Sequence, residues 1–152
     1  MSSSAAPRSA PAPTPRFRRK TVAALLALFF GWMGAHWWYM GRKHAWMLTA
    51  WAAACVAGAM TADVWWDNPA AFLLLAPAMD GYIRAAVYGL TSDEVFDARY
   101  NPGQAPKTRT GWTPVLIAIA DLLIGTSVML LVLATAVLHV WRRLGWLDGY
   151  VL

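Results

Sequence analysis

Four apolar runs separated by short polar stretches organise the chain. The first, residues 21 to 40, has just the 20 positions that a helix rising 1.5 Å per residue needs to cross roughly 30 Å of hydrocarbon, and its second half is less apolar than its first. The second, 45 to 62, is rich in alanine with Trp46 and Trp51, a composition that favours close packing against a neighbouring helix. Asp63-Val-Trp-Trp-Asp67-Asn-Pro69 then predicts a loop with Trp65 and Trp66 at the interface and Pro69 opening the third run, 69 to 90. Pro77 removes one backbone hydrogen bond from that run and predicts a kink just before Asp80. Thr91-Ser-Asp-Glu94 has the spacing of a capping box, so a short amphipathic helix over about 91 to 100 is expected, with Val95 and Phe96 toward the membrane. The last run, 112 to 141, exceeds the length of one span and is stopped by Arg142 and Arg143. The pattern predicts an all-α integral membrane protein with about four hydrophobic helices and a short interfacial helix.

Composition strengthens this reading: 59% of the 152 residues are hydrophobic, only 14% are charged, and ten are tryptophan. The formal net charge of +5 does not make a nucleic-acid partner, because the basic residues lie at the ends of apolar runs, where anionic lipid and insertion bias account for them. Residues 1 to 16 are nearly all Ser, Ala, Pro, Thr and Arg, a composition too poor in apolar surface to order itself. Arg16, Arg18, Arg19 and Lys20 follow, the kind of cluster that retains an N-terminus in the cytoplasm, and no small-residue cleavage signal stands after the first apolar run. The single cysteine, Cys55, lies in an apolar run and is expected to pack rather than react.

The charges constrain topology. If all four runs cross from a cytoplasmic N-terminus, Arg42 and Lys43 fall outside and the acidic 63-to-67 loop inside, against the usual bias. A re-entrant first run instead gathers residues 1 to 20, 41 to 44 and 91 to 110 on one side and leaves chiefly Arg142 and Arg143 opposite.

Ionisable groups inside a bilayer cost about 3 kcal/mol each and are the first candidates for a role. Asp80 and Arg84, four apart, share a helical face and predict an internal ion pair; the alternative is that Asp80 pairs across helices with His36 or Arg42 and locks the intervening loop. Asp121 is expected at the interface if the last span is 122 to 141, and otherwise is a buried acid beside Thr126 and Ser127. His139, near Arg142, reads as interfacial. His36 lacks a second histidine or cysteine nearby, so neither a metal nor a cofactor is expected. No catalytic motif or carboxylate pair at catalytic spacing is present, and no enzyme reaction is expected.

Residues 31 to 42 combine three glycines, three tryptophans, a tyrosine and a histidine. The pattern of a basic residue, an apolar helix and then Gly31-x-x-Gly34-Ala35-His36-x-x-Tyr39-x-Gly41-Arg42 resembles the bacterial two-transmembrane (TM-2) domain family, whose usual form has Arg-Phe where Trp37-Trp38 stand here. Met79-Asp80 matches an apolar-Asp pair of that family, and Asp93-Glu94-x-Phe96-x-x-x-Tyr100-Asn101 resembles its bacterial tail. The resemblance implies a membrane location, two spans joined by a short loop and no established biochemical activity; it favours full crossing of the first run.

The expected layout is a basic, Pro-rich tail (1-18), a TM-2-like membrane domain (19-101), a linker (102-111) and a C-terminal transmembrane helix with a short tail (112-152). The expected role is a non-catalytic, multi-pass component of the cell inner membrane, structural or accessory, whose partners are the lipid bilayer and a second copy or another membrane protein. The interaction residues are Gly31, Gly34, His36, Tyr39, Gly41, Arg42, Asp80 and Arg84. The competing role is a small transporter or channel subunit using Asp80, Arg84, Asp121 and His36 along a polar path.

Overall fold

The computed structural model describes residues 16–105 and 107–149, so all but the last three residues of the expected tail lie outside the described residues. Within them the secondary structure is helical, with no strand: α1 Lys20–Phe30, a 3-10 turn Gly31–Met33, α2 Ala35–Tyr39, α3 Ala45–Met60, a 3-10 turn Trp65–Asp67, α4 Pro69–Leu73, α5 Leu75–Leu90, α6 Asp93–Tyr100 and α7 Thr113–Arg143. Two helical stretches are long and apolar enough to cross a membrane, Pro69–Leu90 with 22 residues and Thr113–Arg143 with 31. Lys20–Met33 and Ala45–Met60 are shorter apolar helices. Much of the apolar surface faces outward, including Leu122, Leu123, Leu130 and Leu131 of α7, each more than half exposed. Such a surface belongs in lipid.

The first apolar run is not one helix. α1 stops at Phe30, the 3-10 turn follows, and Gly34 takes a left-handed φ of +79° that reverses the chain. The return limb brings the Tyr39 hydroxyl to accept from the Arg19 backbone N–H at 2.7 Å, so the two ends of the run lie side by side. The run is therefore a re-entrant hairpin with its open end at residues 18–20 and 39–44. Its tip lies partway along α5, where Gly31 meets Gly81 backbone to backbone. The expectation of full crossing fails because twenty apolar residues fit a straight helix or a folded pair equally well, and the glycines select the pair.

α3 then runs from the hairpin's open end to the far end of the bundle, where Gly58 abuts Ala70 of α4. α4 and α5 return, and α7 goes back alongside α5, with Gly89 of α5 against Pro114 and Ala118 of α7, and Gly125 of α7 against the ring of Tyr82. Pro69 stands in the first turn of α4, as the sequence predicts, and Asn68 caps the helix by accepting from the Ala70 N–H at 2.8 Å. The Pro77 break lies earlier than expected, at Leu74 between α4 and α5. A proline ring crowds the carbonyl four residues back, here that of Leu73, and leaves it without its helical donor. The Trp51 indole N–H supplies one at 3.3 Å.

α6 also departs from expectation. Its cap is Ser92, whose side chain accepts from the Val95 N–H, whereas Thr91 ends α5. Phe96 does not face lipid: it is fully buried with Tyr88 and beside Tyr100, while Val95 on the other side is exposed.

A Cβ on Gly31 would sit 2.4 Å from the Gly81 Cα, backbone against backbone with no flexible side chain to yield. Gly31→Ala is expected to destabilise the protein by about 1–3 kcal/mol, as overpacking in tight cores does, read as a lowered thermal midpoint in detergent.

Candidate functional site

The inner site is built where the hairpin tip meets α5. Asp80 lies one residue before Gly81, and the Gly31–Gly81 contact draws the two backbones close enough for α2 side chains to reach it. Asp80 Oδ2 accepts from the Trp37 indole N–H at 2.7 Å and from His36 Nε2 at 3.1 Å, and Oδ1 accepts from Arg84 Nε at 3.3 Å. Facing a carboxylate, His36 Nε2 carries the proton; its Nδ1 is buried without a partner among the described residues. Both pairings foreseen for Asp80, with Arg84 along the helix and with His36 across helices, are made at once. Arg42 does not join them, its guanidinium lying 4.8 Å over the Trp37 ring.

Trp37 and Trp38 occupy the two positions where the resemblance leads one to expect Arg-Phe, and each indole serves as a donor. Trp37 bonds Asp80. Trp38 Nε1 donates to Thr49 Oγ1 at 2.8 Å, and that hydroxyl lies 3.0 Å from the Met33 carbonyl in the turn, linking α3 to the hairpin tip. A hydrogen bond to a charged group is worth about 1.5–3 kcal/mol and an unpaired intramembrane acid costs about 3, so three donors offset the cost of Asp80.

A second polar cluster closes the hairpin's open end, and most of it escapes sequence reading. Asn101 brackets Arg18, its Oδ1 accepting the Arg18 N–H at 2.8 Å and its Nδ2 donating to the Arg18 carbonyl at 2.9 Å. Lys20 Nζ reaches Asp93 at 3.0 Å and also the Thr91 carbonyl. The tail motif 93–101 thus ties the end of α5 to the start of α1. Asp93 and Asp97 also strap the linker onto α6: Asp93 accepts from the Thr110 N–H at 2.9 Å and its hydroxyl at 2.6 Å, and Asp97 accepts from the Thr108 N–H at 2.6 Å and from its hydroxyl. Asp93 and Asp97 stand one helical turn apart and Thr108 and Thr110 two residues apart in extended chain, so one repeat reads the other.

Asp121 is 2% exposed and faces Tyr82 and Ala86 of α5, with Oδ1 unpartnered among the described residues. It lies two turns into α7, which begins at Thr113, and packs against α5. Thr126 and Ser127 do not join it; both are exposed, and Ser127 donates to the Leu123 carbonyl. His139, near the far end of α7, bonds Asp67 at 3.0 Å through Nδ1, and Arg142 bonds the same carboxylate at 3.1 Å. Cys55 is a buried free thiol.

Burial would raise the carboxyls of Asp93 and Asp97, but their hydrogen bonds, from Thr110 and Lys20 to Asp93 and from Thr108 and Asn101 to Asp97, outweigh it and hold both below the ordinary 3.8. A carboxyl with a depressed folded value lends stability that is complete above its unfolded value and is lost as pH falls through the folded one. The linker strap should therefore persist down to about pH 4 and release only in more acid solution, visible as loss of amide hydrogen-exchange protection at Thr108 and Thr110; release already near pH 6 would contradict it.

No curated protein and no solved structure matches the chain. The model of the TM2 domain matches residues 16–65, spanning the open end of the hairpin, its tip and α3 and ending before Asp80.

Proposed function

We propose that the chain is a non-catalytic, multi-pass protein of the cell inner membrane with a cytoplasmic N-terminus, acting as a structural or accessory component through its helices and hairpin. The observation that carries the reading is the set of donors on Asp80: groups from both α2 and α5 reach its two oxygens, so the acid is used to clamp a re-entrant hairpin onto a spanning helix. The TM2 domain is not a known enzyme family, which agrees with this. Orientation is supported by charge. The hairpin's open end carries Arg16, Arg18, Arg19, Lys20, Arg42, Lys43, Arg99, Lys107 and Arg109 against Asp93, Glu94 and Asp97, while the opposite end carries Arg142 and Arg143 against Asp63, Asp67 and Asp148. The positive-inside bias puts the first of these ends in the cytoplasm.

A small transporter or channel subunit is the second reading, favoured by Asp121, a buried acid in a long apolar helix with an oxygen left unpartnered.

Two measurements test this. With single cysteines at Lys43 or Trp65 in a Cys55→Ala background, a membrane-impermeant thiol reagent applied to intact cells should label position 65 and spare 43; labelling at 43 overturns the orientation. Asp80→Asn replaces an acceptor oxygen by a donor nitrogen facing Trp37 or Arg84, and should lower the steady-state amount of protein severalfold. A variant present at normal level that abolishes proton or cation flux into vesicles would instead establish the second reading.

A further inference from the structure

The open end of the hairpin holds two guanidinium groups that the clamp does not use. Arg18 precedes α1 and Arg42 follows α2, and the reversal of the chain brings the Arg18 side chain to the turn that carries Arg42. Gly41, at φ +68° and without a side chain, lets the Arg18 guanidinium lie on its backbone: a Cβ there would be 2.6 Å from Arg18 Nη2. Arg42 is parked over Trp37. Neither guanidinium has a carboxylate partner among the described residues. Two acids of α6 at this end are already engaged, Asp93 by Lys20 and Thr110 and Asp97 by Thr108 and Asn101. Arg16, Arg19 and Lys43 are exposed beside them. α1 and α3 both begin at this end, and neither has an acidic residue in its first turn or a side-chain cap, so their positive dipole ends add to the field. Trp46, at the start of α3, is 57% exposed, with a ring suited to the headgroup level.

We propose that the hairpin mouth formed by Arg18, Gly41 and Arg42 is a binding site for the phosphate headgroup of an anionic phospholipid of the surrounding leaflet. Two fixed positive charges match the charge of a phosphate diester. The Trp46 indole seats the glycerol region, and the acyl chains continue along the apolar outer face of α3. The site extends the reading of the chain as a membrane component: the clamp at Asp80 holds the hairpin in place, and its mouth fastens the protein to lipid of one charge.

The test is lipid titration of the purified full-length chain in detergent, followed by native mass spectrometry with phosphatidylglycerol or phosphatidylcholine as probe. Phosphatidylglycerol should bind in defined stoichiometry and phosphatidylcholine should not. Each surface cation near a headgroup is worth about fivefold, so Arg18→Gln with Arg42→Gln should weaken phosphatidylglycerol binding about thirtyfold. The paired Arg18→Lys, Arg42→Lys variant keeps the charge and should retain most of the affinity, which separates lost binding from lost folding. Equal binding of the two lipids, or unchanged binding by the Gln pair, overturns the proposal. Competition by inorganic phosphate at concentrations comparable to the lipid would assign the site to a free anion and overturn it as a lipid site. Asp80 is intact in every variant, so failure here leaves the clamp standing, and failure of the clamp shows in the amount of protein instead.

Discussion

A chain that turns back inside an apolar bundle must satisfy its own backbone there, since no water is at hand to do so. This constraint governs residues 30 to 49. Where α1 ends, the Gly34 N–H bonds the Gly31 carbonyl at 3.0 Å and the Trp37 N–H bonds the Gly34 carbonyl at 2.9 Å, so one 3-10 turn runs into the next short helix with little backbone left over. The Met33 carbonyl is taken from outside the hairpin, by Thr49 of α3. The tip can then approach α5 only as far as its side chains allow, and Gly31 against Gly81 removes them from both surfaces.

Other features follow from that placement. With the tip against Gly81, α2 lies beside Asp80, and an acid there can be tolerated only with donors around it; His36, Trp37 and Arg84 supply them. With the run folded in half, its ends meet, and the junction of Arg19 with Tyr39 needs a second fastening. Asn101 provides it, held in turn by Asp97, which explains why α6 packs inward through Phe96 and Tyr100 onto Tyr88 instead of lying on the membrane surface. Three aromatic rings at a helix end are a larger apolar contact than Val95 could gain from lipid alone.

The apolar runs, the helix start at Pro69, the stop at Arg142 and the Asp80–Arg84 pair were legible in the sequence because each follows from local composition or from a four-residue spacing, whereas Trp37 as a donor to Asp80 was not. The fold of the first run was written less openly. Hydropathy reports how many residues avoid water and not whether they go across or come back; only the spacing of Gly31, Gly34 and Gly41 and the awkward charges at 42 and 43 carried the reversal. The Pro77 break fell at Leu74 because proline acts on the carbonyl four residues earlier. For Asp121 the sequence offered an interfacial or a buried site, and its packing against Tyr82 of α5 became visible only with α7 laid beside that helix. Thr108 and Thr110 gave no signal at all, being two threonines in a polar linker whose partners are known only when α6 is seen beside them.

The two intramembrane acids decide between a clamp and a conduit. Asp80 and Arg84 lie on the face of α5 that meets the hairpin, together with Gly81 and Ala85. Tyr82 and Ala86, which Asp121 faces, lie on the opposite side, since two residues are about 200° apart at 3.6 residues per turn. Asp121 and Asp80 are thus separated by the body of α5. Gly125, one turn beyond Asp121, admits the Tyr82 ring against α7, filling the space on that side with an aromatic ring. A polar path joining the acids would have to pass around α5 through Ala85, which is fully buried, or across a surface of exposed apolar side chains. A clamp asks for no such continuity: it needs an acceptor at one depth of one helix and donors brought to it by the turn, and that is how Asp80 is placed.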